Sequence, residues 1–325
     1  MKSPHDIKRA QREITAALGE DVIEDLKREK RWLDWTAVVV TWVTFGVLIG
    51  FLGTLPFLSA WWLVCFVLQS FVILSFAYQM HDIWVHRKVG GRAFSRWMGL
   101  VSGLVAFTLA ARYTRLHPDH HRYIGTDEDE EYKLDLDTRL RRWLFMTPVG
   151  YLLTFRGHLR KERDPKYPAP ECAFEKRPLN PRQLRMHKTE KRAMRYMWGG
   201  IAVLAFFFPR FVALGYLLPL AVMLPVSNAV RIILEHAETN PANDFHCATY
   251  YRTGPVTRPL FFWGAGDCHL VHHIFPEIPW YNLGKACDVM RPFLVDKGCR
   301  ERRSIPKLLY GYFIKGEPYR ELWSV

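Results

Sequence analysis

Cysteine is scarce in this chain: six in 325 residues, at positions 65, 172, 247, 268, 287 and 299, with no C-x-x-C pair among them. That spacing excludes a zinc ribbon and argues against a disulfide framework, leaving Cys65, Cys172, Cys247, Cys268, Cys287 and Cys299 as reduced structural residues. No apolar stretch precedes Arg31, so no cleavable signal peptide is expected. Zinc-finger spacing and aromatic RNA-binding motifs are also missing, and nucleic acid is not expected as a partner despite a formal charge of +13. Solenoid repeats and low-complexity linkers are absent too.

Long apolar runs are what the chain does have, and the 45 Lys and Arg lie almost wholly outside them. One run extends from Trp35 to Phe51 and a second from Leu55 to Gln79, with Gly53 and Thr54 between. A third region, Met197 to Leu234, is interrupted at Pro209 and Arg210. Spans of roughly 20 residues cross a bilayer. The pattern therefore predicts an all-α integral membrane protein with four transmembrane helices in two hairpins. The expected layout is one domain over 1–325: a cytosolic segment 1–34, a first hairpin 35–79, a loop 80–196, a second hairpin 197–235 and a tail 236–325. Trp97 to Ala111 and Trp143 to Phe155, flanked by Arg96, Arg112, Arg141, Arg142 and Arg156, are expected as interfacial helices, with re-entrant or buried helices as the competing reading.

Charge sets the expected orientation. The segment through Arg31 holds 8 Lys and Arg, the stretch from Arg87 to Arg195 holds 24, and the tail after His236 holds 11. The two proposed outer turns hold only Arg210 between them. Basic residues gather on the cytoplasmic side, which places both termini and the central loop there.

Twelve of the 13 histidines follow the first hairpin and none falls inside an expected span. Eight form three boxes: His81-Asp-Ile-Trp-Val-His86, His117-Pro-Asp-His120-His121 and His269-Leu-Val-His272-His273. On a helix, positions i, i+3 and i+4 fall within about 100° of one another, so each H-x-x-H-H box turns three imidazoles to one face. His81 and His86, about 140° apart on an α-helix, would flank a site. Imidazole suits iron, copper and zinc, and eight ligands exceed what one ion needs, so two neighbouring ions are expected. A ninth ligand is expected at His236, in Arg231-Ile-Ile-Leu-Glu235-His236. His5, His158, His187 and His246 read as solvated loop residues. A metal transporter would carry its ligands inside the spans, and an inactive relative would have lost box histidines; neither fits.

The three boxes, their order and their relation to two hairpins resemble the membrane fatty acid desaturase superfamily. So do His121-Arg-Tyr-Ile-Gly125, the acidic run Asp127 to Glu131, and the stretch from His272 through Pro276, Pro279 and Trp280 to Leu283. The resemblance runs from Trp35 to Leu283. It implies a cytosolic cap carrying two Fe ions, O2 as cosubstrate, and ligands at His81, His86, His117, His120, His121, His269, His272 and His273, with His236 matching the family's extra histidine. No catalytic residue beyond the metal ligands is implied, and purified protein could hold Zn instead.

The implied reaction is desaturation or hydroxylation of a fatty acid or acyl lipid. Oxidative decarboxylation of a free fatty acid to a terminal alkene, and carotenoid or sphingoid oxidation, are the alternatives. With no His-Pro-Gly-Gly haem motif and no rubredoxin or ferredoxin cysteine set in the chain, electrons are expected from an external donor: ferredoxin, rubredoxin or cytochrome b5 with its reductase. Asp82, Asp119, Asp267, Glu235 and Glu238 are candidates to orient ligand imidazoles. Arg231 and Arg112 are candidates to meet a substrate carboxylate. Trp61, Trp62, Phe66 and Phe71 are candidates to line a substrate tunnel.

Overall fold

The computed structural model describes residues 6–108, 110–124, 138–153, 181–236, 243–252, 254, 268–302 and 304–317. Within them the chain is helical, with a single isolated bridge between Tyr251 and Arg302. Its contacts divide it into two compact units: Lys30–Thr114 with Leu179–Asn228, and Met1–Glu29 with Arg115–Pro178 and Ala229–Val325.

The first of these is built on apolar helices. α3 (Arg31–Thr54) ends before Pro56, and α4 (Ala60–Gln79) starts where the Ser59 hydroxyl accepts the Trp62 N–H. α4 continues into a π-helical turn, Met80–His86. α5 (Arg92–Val105) follows, and α8 (Pro181–Phe207) and the helix α9 (Pro209–His236) come later in the chain. α9 carries π-turns at Ala213–Leu217 and Pro219–Met223, where Pro219 removes a backbone donor.

Among the described residues three helical stretches are long and apolar enough to cross a membrane: Glu20–Thr54, Ala60–His86 and Pro209–His236. The expected span beginning at Met197 is the end of α8. Arg182, Arg185, Lys188, Lys191, Arg192 and Arg195 lie on the same helix before it, which keeps α8 out of that group.

The outer faces suit hydrocarbon. Val39, Val43 and Val47 on α3 are exposed, as are Leu63, Val64 and Val67 on α4, and Phe206 is 80% exposed. Polar side chains within the spans bond inward, as a lipid environment requires. Gln69 Nε2 donates to the Gly215 carbonyl (2.8 Å), Gln79 Nε2 to Thr41 Oγ1 (2.6 Å), and Trp62 Nε1 to the Leu52 carbonyl (3.1 Å). Close approach of α3 and α9 depends on small residues: a Cβ at Gly215 would stand 2.9 Å from Ile49 Cα, and one at Gly53 would strike the Phe211 ring. Trp62, expected near a tunnel, is buried, whereas Trp61 is 73% exposed.

The second unit has a packed core of a soluble kind. α1 (Ile7–Leu18), capped by Asp6, and α2 (Glu20–Lys27) set Ala10, Ile14, Ile23 and Leu26 against Leu270, Val271 and Ile274 of α10 (His269–Ile274). Leu283, Ala286 and Met290 of α11 (Trp280–Asp296) complete this cluster. Gln11 Nε2 donates to the Ile274 carbonyl at 2.6 Å, and Asn282 Nδ2 to the Leu26 carbonyl at 2.8 Å. The polar N-terminal segment is thus an integral part of the core.

α7 (Arg139–Phe145) grips the turn after α12 (Ile305–Tyr310): Arg142, fully buried, donates to the Tyr312 and Glu317 carbonyls, and Trp143 Nε1 to the Phe313 carbonyl. Burial of Arg142 differs from the flanking role expected for it, because those carbonyls replace its water. Cys65, Cys247, Cys268, Cys287 and Cys299 are free thiols; burial pushes Cys299 up to about 12. Cys172 lies outside the described residues.

Candidate metal centre

Boxes 2 and 3 sit on short helices: α6 (Ala110–Tyr123) ends in His117, His120 and His121, and α10 holds His269, His272 and His273. α10 begins at Cys268, held in the left-handed region (φ 66°), and its three apolar residues are sunk in the core just described. That anchorage turns its imidazoles to the opposite side.

The imidazoles sort into two sets. In one, His120, His236, His269 and His273 are all buried and their ligand nitrogens lie within 4.8 Å of one another. His269 Nε2 is 2.8 Å from His236 Nε2 and 3.0 Å from His273 Nε2. In the other, His117, His121 and His272 converge, with His121 Nε2 2.8 Å from His117 Nε2. Each H-x-x-H-H box is therefore split. Positions i and i+4 go to one set and i+3 to the other, and the two boxes do so in opposite senses. The His121 and His273 rings stack 4.3 Å apart where the sets adjoin. One-face placement was expected; this division was not.

The residues fit metal ions. A ring nitrogen has either one proton or one lone pair, so His269 Nε2 cannot accept from one neighbour while donating to the other. A shared cation resolves the convergence: two nitrogens about 2.1 Å from an ion at right angles are about 3.0 Å apart. Burial, followed by the neighbouring His121 and His269, pushes His273 well below the usual histidine range, leaving it in the neutral form that binds metal. An all-nitrogen donor set admits iron or zinc.

Box 1 belongs to the π-turn at the end of α4. Its expected 140° separation is corrected by the backbone: i→i+5 bonding brings residues five apart round to one face. The His81 and His86 rings are 4.7 Å apart, and their ligand nitrogens also lie within 4.8 Å. Trp84 packs into Trp35 and Phe94 beneath this turn.

The flanking candidates meet mixed fates. Asp82 accepts from Arg87, and Glu235 pairs with Arg231 at 3.1 Å. His246, expected in solvent, is buried beside the core because the Asn243 carbonyl turns its backbone inward. His5, His158, Asp267, Glu238 and the run Asp127 to Glu131 lie outside the described residues, as do the side chains of Arg112 and Asp119. Sequence reasoning missed Asp34 and Arg87, which form a buried ion pair; an acid in the first turn of an apolar helix was the available signal.

Comparison with known proteins agrees with this geometry. The fatty acid desaturase family model matches residues 78–304, more than half of the chain. Human sphingolipid delta(4)-desaturase/C4-monooxygenase is 31% identical over 212 residues, covering 63% of this chain and 58% of the relative. Chicken (Gallus gallus) sphingolipid delta(4)-desaturase is 27% identical over 237 residues, covering 68% of this chain and 64% of the relative. The chain thus spans less than two thirds of the length of these curated relatives. With its matched region holding all nine histidines expected as ligands, the chain belongs to the fatty acid desaturase family.

Proposed function

We propose that the protein is a membrane oxidoreductase that desaturates or hydroxylates a long aliphatic lipid chain at a diiron centre. The observation that carries this is the sorting of buried imidazoles into two adjoining sets. In this reading His120, His236, His269 and His273 hold one ion and His117, His121 and His272 hold the other; His81 and His86 are proposed as iron ligands as well. Iron in such a centre, given O2 and external electrons, supplies the oxidising power that an unactivated C–H bond requires.

The protein's residues position and exclude. Imidazole ligands contribute no negative charge, so the protein's share is to fix ring direction and exclude water. Selectivity then falls to whatever holds the lipid chain in register. The whole chain acts as one catalytic domain, crossing the bilayer four times, with both termini and the histidines on the cytoplasmic side. Its positive charge suits an acidic ferredoxin, rubredoxin or cytochrome b5 as donor.

A sphingoid backbone is the substrate reading that the relatives' names, sphingolipid desaturases, favour over a free fatty acid. The test is mass spectrometry of products, headspace included, from cells fed deuterated sphingoid base or fatty acid together with a reductase and donor. A new double bond or hydroxyl at unchanged carbon number is expected. An alkene one carbon shorter would replace this reading with decarboxylation, and no deuterated product from either feed would refute it.

A further inference from the structure

π-turns frequently mark functional sites, and the one that carries box 1 is held by specific partners. Arg87 follows it directly and grasps it twice. Its backbone N–H closes the i→i+5 bond to the Asp82 carbonyl at 3.1 Å. Its side chain turns back onto the same residue, with Nε 3.2 Å and Nη2 3.1 Å from Asp82 Oδ2. The rest of the guanidinium fork meets Asp34 in the first turn of α3: Nη1 reaches Oδ2 at 2.9 Å and Nη2 donates to Oδ1. All three side chains are at most 3% exposed.

A buried ion pair is weak evidence for stability, because desolvation offsets most of the attraction. Its value lies in specifying geometry. Only the planar fork of arginine can hold two carboxylates at fixed angles; an ammonium group cannot. Relaxation to an α-helix would swing His86 about 140° away from His81.

We propose that Arg87 is a positioning residue, clamping the π-turn through Asp82 and pinning it to Asp34 so that His81 and His86 face one ion. This rests on the reading of His81 and His86 as ligands. The clamp acts before any chemistry, so it is visible in metal content without turnover.

The experiment compares wild type, His86→Ala, Arg87→Lys and Asp34→Asn after reconstitution with ferrous iron. Iron per chain, its Mössbauer spectrum, its release to a chelator and the thermal midpoint are measured. His86→Ala is expected to lose one of two ions. Arg87→Lys is expected to lose the same spectral component at a near-wild-type midpoint. Asp34→Asn should keep both ions but hold that one roughly 10–100-fold more weakly.

If His86→Ala retains both ions, the ligand reading of box 1 fails and takes the clamp with it. If His86→Ala loses one while Arg87→Lys and Asp34→Asn both bind iron as wild type does, the clamp alone is overturned. Loss of both ions together with a lowered midpoint in Asp34→Asn also overturns it, reducing the network to general support of the fold. Should Arg87→Lys fail to fold, Asp34→Asn decides.

Discussion

Box 1 and box 3 present the same imidazole chemistry on opposite kinds of support. Box 3 rides a short helix whose Leu270, Val271 and Ile274 are sunk among Ile14, Leu26, Leu283 and Met290, so its histidines are aimed by apolar packing. Box 1 rides a π-turn at the end of a membrane helix, aimed by a charged clamp over a cage of tryptophan and phenylalanine. Packing is non-directional and tolerant of repacking. Ionic clamping is directional and intolerant of changed geometry. Damage to the two should therefore differ in kind.

The largest effect sharpens the chemistry common to both. His120→Ala or His272→Ala is expected to abolish turnover and lower bound metal, whereas His158→Ala does neither; product yield and metal analysis check this. Full activity in His272→Ala would break the diiron reading. Next come core truncations beneath box 3. Leu283→Ala removes a fully buried side chain and should cost about 2–5 kcal/mol, read as a lower thermal midpoint. A core that also aims ligands should weaken metal retention in step with that midpoint, unlike the selective loss expected at box 1.

A smaller effect concerns the helix seam: Gln11→Leu leaves the Ile274 carbonyl without that donor and should cost about 1 kcal/mol by denaturant titration. The smallest is electrostatic. A hydrogen bond from Lys297, then one from Arg9, holds the Glu13 carboxyl below the usual carboxylate range. A depressed folded value means stability present above the unfolded value and lost as pH falls through the folded one. Glu13→Gln should therefore lie slightly below wild type at neutral pH and converge with it in acid.

Much of this was legible in sequence. Apolar runs at Trp35–Phe51 and Leu55–Gln79 became α3 and α4, and H-x-x-H-H spacing did mark convergent imidazoles. Three things were hidden. Helical periodicity assumes 3.6 residues per turn, so the π-turn that unites His81 with His86 could not be read from it. The alternation within the boxes depends on two helices facing one another, which no local pattern encodes. The N-terminal segment looked merely polar; yet Ile14 and Leu26 are buried, because an amphipathic helix needs only one apolar stripe.

The bond between Gln11 and Ile274 joins residues 263 apart in sequence. At roughly 5–20 residues per second, a ribosome makes the second about 13–50 seconds after the first. Throughout that interval the apolar stripe of α1 and α2 has no α10 to rest on, and box 3 does not yet exist. The second unit's core can close only once α10 and α11 have both been made, so a nascent protein stalled short of Leu283 would be one for chaperones and proteases.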